Sequence, residues 1–162
     1  MAYYAADDVA VNAGSEAEYA HVAVVTSEFF RVFLVNPVAG RLFSAEEQAP
    51  ASGGSAVISH SYWQSHSAGD PNVVVRSVRM LGKTVNIVGV LPSGFHFPAQ
   101  TDLWFPANTI VPESNERSSR DYQVAGRVKR GVSLEQAQAE MAAVGARLEN
   151  NIPRAMRARA WR

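Results

Sequence analysis

The stretch that most constrains this chain is Val73 to Pro106, VVVRSVRMLGKTVNIVGVLPSGFHFPAQTDLWFP. β-Branched residues flank Leu81–Gly82, which predicts a strand Val73–Met80 returning through a tight turn as Thr84–Val90. Gly89 inside the second strand predicts a bulge or a close approach of another backbone. Pro92–Ser93–Gly94 then turns the chain. Phe95 and Phe97 alternate with His96, and Asp102–Pro106 repeats the idea, so aromatic residues belong along the rim of a sheet. Nothing in the stretch builds a reaction centre.

The flanking sequence adds elements of both kinds. Val9–Val11 and Tyr19–Val25 predict a hairpin around the turn cluster Asn12–Ser15. Thr26 or Ser27 is expected to cap a short helix that buries Phe29, Phe30 and Phe33 and is closed by Pro37. Gly40 predicts a tight turn, Ser44–Glu47 a capped turn, and Gln48–Ser55 an exposed loop. Ala56–Ile58 reads as a short buried strand, followed by a helical turn from Ser59 or Ser61 that carries Tyr62, Trp63 and His66 and is broken at Gly69–Asp70–Pro71. Val111–Asp121 reads as a charged loop. Tyr122–Val128 alternates like a strand and Gly131 turns the chain. Ser133 with Gln136 is a capping box opening a helix over Leu134–Leu148. Leu134, Ala137, Met141, Val144 and Leu148 step by three and four along one face of it, and Pro153 ends it.

Composition removes several classes of function. The 162 residues suit one ordinary domain or two small lobes. Fifteen basic and fifteen acidic residues cancel, which argues against a nucleic-acid binder. The cancellation hides an asymmetry: residues 1–70 hold eight acids against Arg31 and Arg41, so the two parts carry −6 and +6. There is no cysteine, hence no disulfide, thiolate metal site or cysteine nucleophile. No apolar run approaches the ~20 residues that span a bilayer, and the first residues lack the pattern of a signal peptide.

No constellation carries chemistry. His21, His60, His66 and His96 fall in four segments without metal-ligand spacing. Ser59–His60–Ser61 lacks a nucleophile elbow, and Ser59 reads as a helix cap. Glu46 and Glu47 are adjacent, unlike the facing carboxylates of a glycosidase. Gly53–Gly54–Ser55 lacks the lysine of a phosphate loop. Trp63, Phe95, Phe97, Trp104 and Phe105 read as core before they read as a pocket. Arg154, Arg157, Arg159 and Arg162 read as a solvated end, with anionic headgroups as the alternative. We therefore predict no catalytic residue, no cofactor-binding residue and no metal ligand, and a chain that is not an enzyme.

Five blocks in order over residues 20–150 resemble one family, the MacB-like periplasmic core domain of ABC transporter permeases of the MacB/FtsX type. They are VTSEFFRVFLVNPVAGRLFSAEE (Val25–Glu47), AVISHSYWQSH (Ala56–His66), GDPNVVVRSVRMLGKTVNIVGVLPSGFHFP (Gly69–Pro98), Thr101–Pro106, and GRVKRGVSLEQAQAEM (Gly126–Met141). Val75 stands where many members have Gly, and Phe33–Leu34 where a Leu-Gly pair is common, so local turn geometry departs there.

The resemblance implies an α+β fold in two lobes. A porter-like βαβ lobe would comprise 1–25 and 121–162, incomplete without a returning strand, and a mostly β lobe, 26–120, would be inserted in it. It further implies an excised extracytoplasmic domain whose parent lies in the bacterial inner membrane. That domain would relay motion driven by a cytoplasmic ATPase on another domain or chain to an adaptor protein or an export cargo, without nucleic acid. As a fragment the chain is expected to be monomeric, while the parent would work as a dimer. The alternative is a stand-alone extracytoplasmic ligand-binding module.

Overall fold

The computed structural model describes residues 2–12, 17–49, 54–80, 83–98, 100–107 and 123–151. Strands β1 (Ala2–Asn12) and β2 (Ala17–Val25) pair antiparallel from Tyr4 opposite Val25 to Asn12 opposite Ala17. The predicted hairpin is therefore present and its first strand is longer than expected. Helix α1 (Phe29–Phe33), strand β3 (Ala39–Gly40) and a 3₁₀ turn at Glu46–Gln48 follow. Next come β4 (Gly54–Ile58), α2 (His60–Ser67) and a second 3₁₀ turn at Pro71–Val75. Strands β5 (Ser77–Met80), β6 (Lys83–Val90), β7 (Leu103–Pro106) and β8 (Gln123–Ala125) precede helix α3 (Leu134–Asn151).

All eight strands share one mixed sheet in the order β2-β7-β4-β6-β5-β1-β8, with β3 on β6. β1 also pairs with β2, so the path through six strands returns to its start and the sheet is closed. β2 and β7 run parallel, as do β4 and β6, and the other pairs are antiparallel. Closure leaves less exposed edge than an open sheet of the same strands would have to protect.

Side-chain alternation then creates two apolar layers. Val11, Val22, Ile58, Val78, Ile87 and Leu103, from each of the six ring strands, form the inner layer, with Tyr62 of α2 and Val73 packed into it. Tyr4, Ala23, Val25, Val57 and Trp104 point the other way and are covered by Phe29, Phe30 and Phe95. Ala56–Ile58 and Leu103–Phe105 are buried on both faces, which explains their unbroken apolar runs. In β6, Thr84 and Asn86 are exposed while Val88 is buried, marking where the outer cover begins. Each fully buried large side chain here contributes about 1.5–3 kcal/mol.

Several local expectations are corrected. The strand predicted from Val73 starts at Ser77, because the Asp70 carboxylate accepts from the Asn72 N–H at 2.9 Å and Pro71 fixes the first turn of a 3₁₀ segment. Glu28 occupies the cap position of α1, one residue beyond Ser27, and the Phe29 N–H donates to the Thr26 carbonyl at 3.0 Å. The helix ends before Pro37, at Leu34, whose φ of 55° is left-handed. Leu34 N–H bonds to Arg31 O and Val35 N–H to Phe30 O, the paired bonds of a Schellman ending. The backbone thus adopts the geometry that a glycine would favour, with a leucine in its place. Ser55 is buried in β4 and does not belong to an exposed loop. The predicted strand over Tyr122–Val128 is narrower, at Gln123–Ala125. The Leu81–Gly82 turn, Val111–Asp121, Pro153 and the terminal arginines lie outside the described residues, as do most of the turn cluster Asn12–Ser15 and the middle of Gln48–Ser55.

The chain divides into two compact units. One holds Met1–Glu113 with Asp121–Ala125, and the other Ser114–Arg120 with Gly126–Arg162. β1 and β2 are laddered to β5, β7 and β8 within the first unit. In the second, the Val132 N–H closes a turn on Lys129 O around Gly131 at φ 83°. The Ser133 N–H donates to Gln136 Oε1 at 3.0 Å and the Gln136 N–H to Ser133 Oγ at 3.2 Å, the reciprocal box read from the sequence. Leu134, Met141 and Leu148 of the predicted stripe are exposed.

Candidate functional site

Three groupings of polar and aromatic residues stand out, and each begins with backbone geometry. The first is centred on Gly89. The register of β4 against β6 shifts between Ala56 and Val57, as a bulge at Gly89 requires. β3 crosses there: the Val38 N–H donates to Val90 O and the Arg41 N–H to Val88 O, both at 2.8 Å. A Cβ on Gly89 would lie 2.2 Å from the Arg41 carbonyl oxygen, so the close approach needs glycine. Arg41, held in this way, makes a two-pronged pair with Glu47 at 2.6 and 3.0 Å. Glu47 also accepts from the Ser44 N–H at 2.7 Å and the Ser55 hydroxyl at 2.6 Å. The Arg41 guanidinium, with the Ser44 and Ser55 donors, outweighs burial and holds the Glu47 carboxyl down at about 2. The same pair raises Arg41 above its ordinary value. This is a charge-assisted pin between the β3 crossing, the 3₁₀ turn and β4.

The second grouping is the outer aromatic layer. Phe29 meets Phe30 edge-on at 5.4 Å and Tyr4 at 5.7 Å, and Phe33 lies 4.8 Å from Phe97. Trp104 is fully buried and its Nε1 donates to Phe97 O at 3.3 Å. Phe95 and Phe105 are buried too, while Phe97 remains 36% exposed, so the expected burial of both rings holds more fully for Phe95. Trp63 is half-buried and donates to the Asp70 carbonyl at 2.9 Å. These rings pack on one another and on the sheet, as the core reading expects.

The third lies where α2 meets β2. Ser59 Oγ accepts from the Tyr62 N–H at 3.0 Å, which makes it the helix cap that the sequence suggests. α2 then carries Tyr62 inward and places His66 Nε2 2.6 Å from Glu18 Oε1. The phenol of Tyr62 is raised above its ordinary value, first by burial and then by the Glu18 charge.

The four histidines stay apart. His21 pairs with Asp8 across the β1–β2 hairpin, His66 pairs with Glu18, and His60 packs edge-on against Trp63 at 5.4 Å. His96 is exposed. Among the described residues no group of three His, Asp or Glu could hold a metal ion, and no helix is long and apolar enough to cross a membrane. Sequence reasoning named Arg41 and Glu47 only as members of a motif and missed their pairing. Their separation by a turn rich in serine was the available signal. The Glu18–His66 pair had none, since it joins residues that only the closed sheet brings together.

Comparison with solved structures finds this fold among domains of transporter and permease proteins. The periplasmic region of MacB from Actinobacillus actinomycetemcomitans superposes with a TM-score of 0.70 at 14% identity, over 93% of this chain and 67% of that one. A permease-protein domain from Porphyromonas gingivalis gives 0.64 at 17% identity, over 91% and 69%. The extracellular domain of the noncanonical ABC-type transporter YknZ from Gram-positive bacteria gives 0.54 at 19%, over 67% and 55%. The chain thus spans about half to two thirds of the length of these relatives. No curated protein matches the sequence significantly. The sequence itself matches the MacB-like periplasmic core domain over residues 2–144, and the chain belongs to that family, the periplasmic domain of MacB/FtsX-like ABC transporter permeases.

Proposed function

We propose that this domain relays ATP-driven movement of its permease's transmembrane helices to contacts with an adaptor protein or an export cargo. The observation that supports it is the closed sheet with apolar layers on both faces, pinned by Arg41–Glu47. Such a body moves as a unit and transmits displacement without deforming, because close-packed interiors resist compression. The ATPase belongs to another domain or chain, the parent sits in the bacterial inner membrane as a dimer, and this portion alone is a monomer. Its contribution is a bistable contact, with no reaction centre of its own.

The experiment uses the parent permease in membranes. The chain has no cysteine, so Val75→Cys, at a position that is 83% exposed, gives one labelling site here on a cysteine-free parent. Distances between labels in the parent dimer are then measured by spin-echo spectroscopy with and without ATP. A nucleotide-dependent change in distance is expected. Unchanged distances in a transporter that still exports would overturn the proposal.

A further inference from the structure

We propose that helix α3 is a contact between copies: in the parent dimer it pairs antiparallel with α3 of the second copy. This rests on the dimeric parent of the proposed function. α3 spans Leu134–Asn151. Along it, Leu134, Ala137, Met141, Val144 and Leu148 recur at alternating steps of three and four. The mean step of 3.5 residues is that of a seam between two helices, narrower than the stripe that packs a helix on a core. The large members of this seam are left to solvent: Leu134 is 74% exposed, Met141 54% and Leu148 59%. A Cβ on Gly145, beside the seam, would meet nothing within 4 Å, so that flank is open as well.

The residues bordering the seam select the occupant and its direction. One border carries Glu140 and Arg147, the other Gln138 and Gly145. An antiparallel pair with Met141 of one copy opposite Val144 of the other also sets Ala137 opposite Leu148, small against large. It brings Glu140 of each copy beside Arg147 of the other. Two-fold symmetry forms that ion pair twice, while Gln138 and Gly145 keep the second border free of charge. A parallel pair would place Glu140 beside Gly145 and gain no such match. From Leu134 to Leu148 the seam is about 22 Å long, a contact below the ~1,200 Å² of a stable interface. This portion by itself therefore stays a monomer. Two copies held in one membrane dimer meet at roughly millimolar effective concentration, where so small a contact forms.

The test is disulfide cross-linking in membranes of a cysteine-free parent, with the parent's mass in detergent read in parallel by light scattering. Copies carrying Ala137→Cys are co-expressed with copies carrying Leu148→Cys. Oxidation should join the unlike copies, and neither variant alone should give a linked dimer. Glu140→Lys should lower the linked fraction about five-fold, the size of two exposed ion pairs, and Glu140→Lys with Arg147→Glu should restore it. A dimeric parent without the link between 137 and 148 would overturn the proposal, and is the outcome expected if another part of the parent covers the seam. Linking of Leu148→Cys to itself, the mark of a parallel pair, would also overturn it, as would a link indifferent to Glu140→Lys. A monomeric parent would defeat the dimer reading and this contact together.

Discussion

Replacing Gly89 with alanine tests the β3 crossing most directly. The added methyl would meet Arg41 O at 2.2 Å, Arg41 C at 3.1 Å and Arg41 N at 3.3 Å, all backbone atoms that no rotamer change can move. β3 must retreat by about an ångström to restore ordinary contact, which stretches the two 2.8 Å bonds from Val38 N–H and Arg41 N–H beyond hydrogen-bonding range. At about 1 kcal/mol each, these bonds account for roughly 2 kcal/mol. Displacement of Arg41 from Glu47 adds to the loss, and the stiffer unfolded chain returns about 0.4–1 kcal/mol. A net destabilisation of about 2 kcal/mol is expected, read as a fall of about 1 M in the urea midpoint followed by tryptophan fluorescence. Gly94→Ala is the control, since a methyl there meets nothing within 4 Å. If Gly89→Ala unfolds at the same urea concentration as Gly94→Ala, the close approach does not constrain the fold as argued.

The Glu47 carboxyl, held down at about 2 in the fold against an ordinary 4.5, contributes stability that is complete above about pH 4.5 and is lost as pH falls towards 2. Glu47→Gln should therefore cost about 3 kcal/mol at pH 7 by that linkage, with the gap to wild type closing between those two pH values. Parallel stability curves would contradict it. Ser133→Ala removes the Oγ that accepts from the Gln136 N–H, leaving the Ser133 N–H to Gln136 Oε1 bond in place, and should cost about 1 kcal/mol, seen as about five-fold faster amide exchange in the first turn of α3. Unchanged exchange there would mean that the box is dispensable.

Features decided by neighbours in the chain were legible; those decided by closure were not. Gly89 announced its bulge because no side chain fits a crossing backbone, and Ser133 with Gln136 announced a helix start because the box is local. The sequence 71–75 misled because three valines favour a strand, while Asp70 and Pro71 set a 3₁₀ turn whose Val73 fills the inner layer and whose Val75 stays exposed. Leu34 shows the reverse conflict: the Schellman bonds impose a left-handed residue, and tertiary packing of Phe29 and Phe30 outweighs the strain of a leucine there. The pairing of β1 with both β2 and β5 has no local trace. Two antiparallel hairpins are equally compatible with an open sheet. Glu18 meets His66 only as a result of that closure.

The pairing of β8 with β1 also has a mechanical meaning. Ala2 lies opposite Ala125, so the chain enters and leaves the closed sheet side by side at one end. Tension applied between those two points would load their three residue pairs in sequence, like a zipper. The nine pairs of the β1–β2 hairpin lie on the other edge of β1. A pull applied at those two points would peel β8 away and leave the ring intact, making that short strand a mechanical fuse.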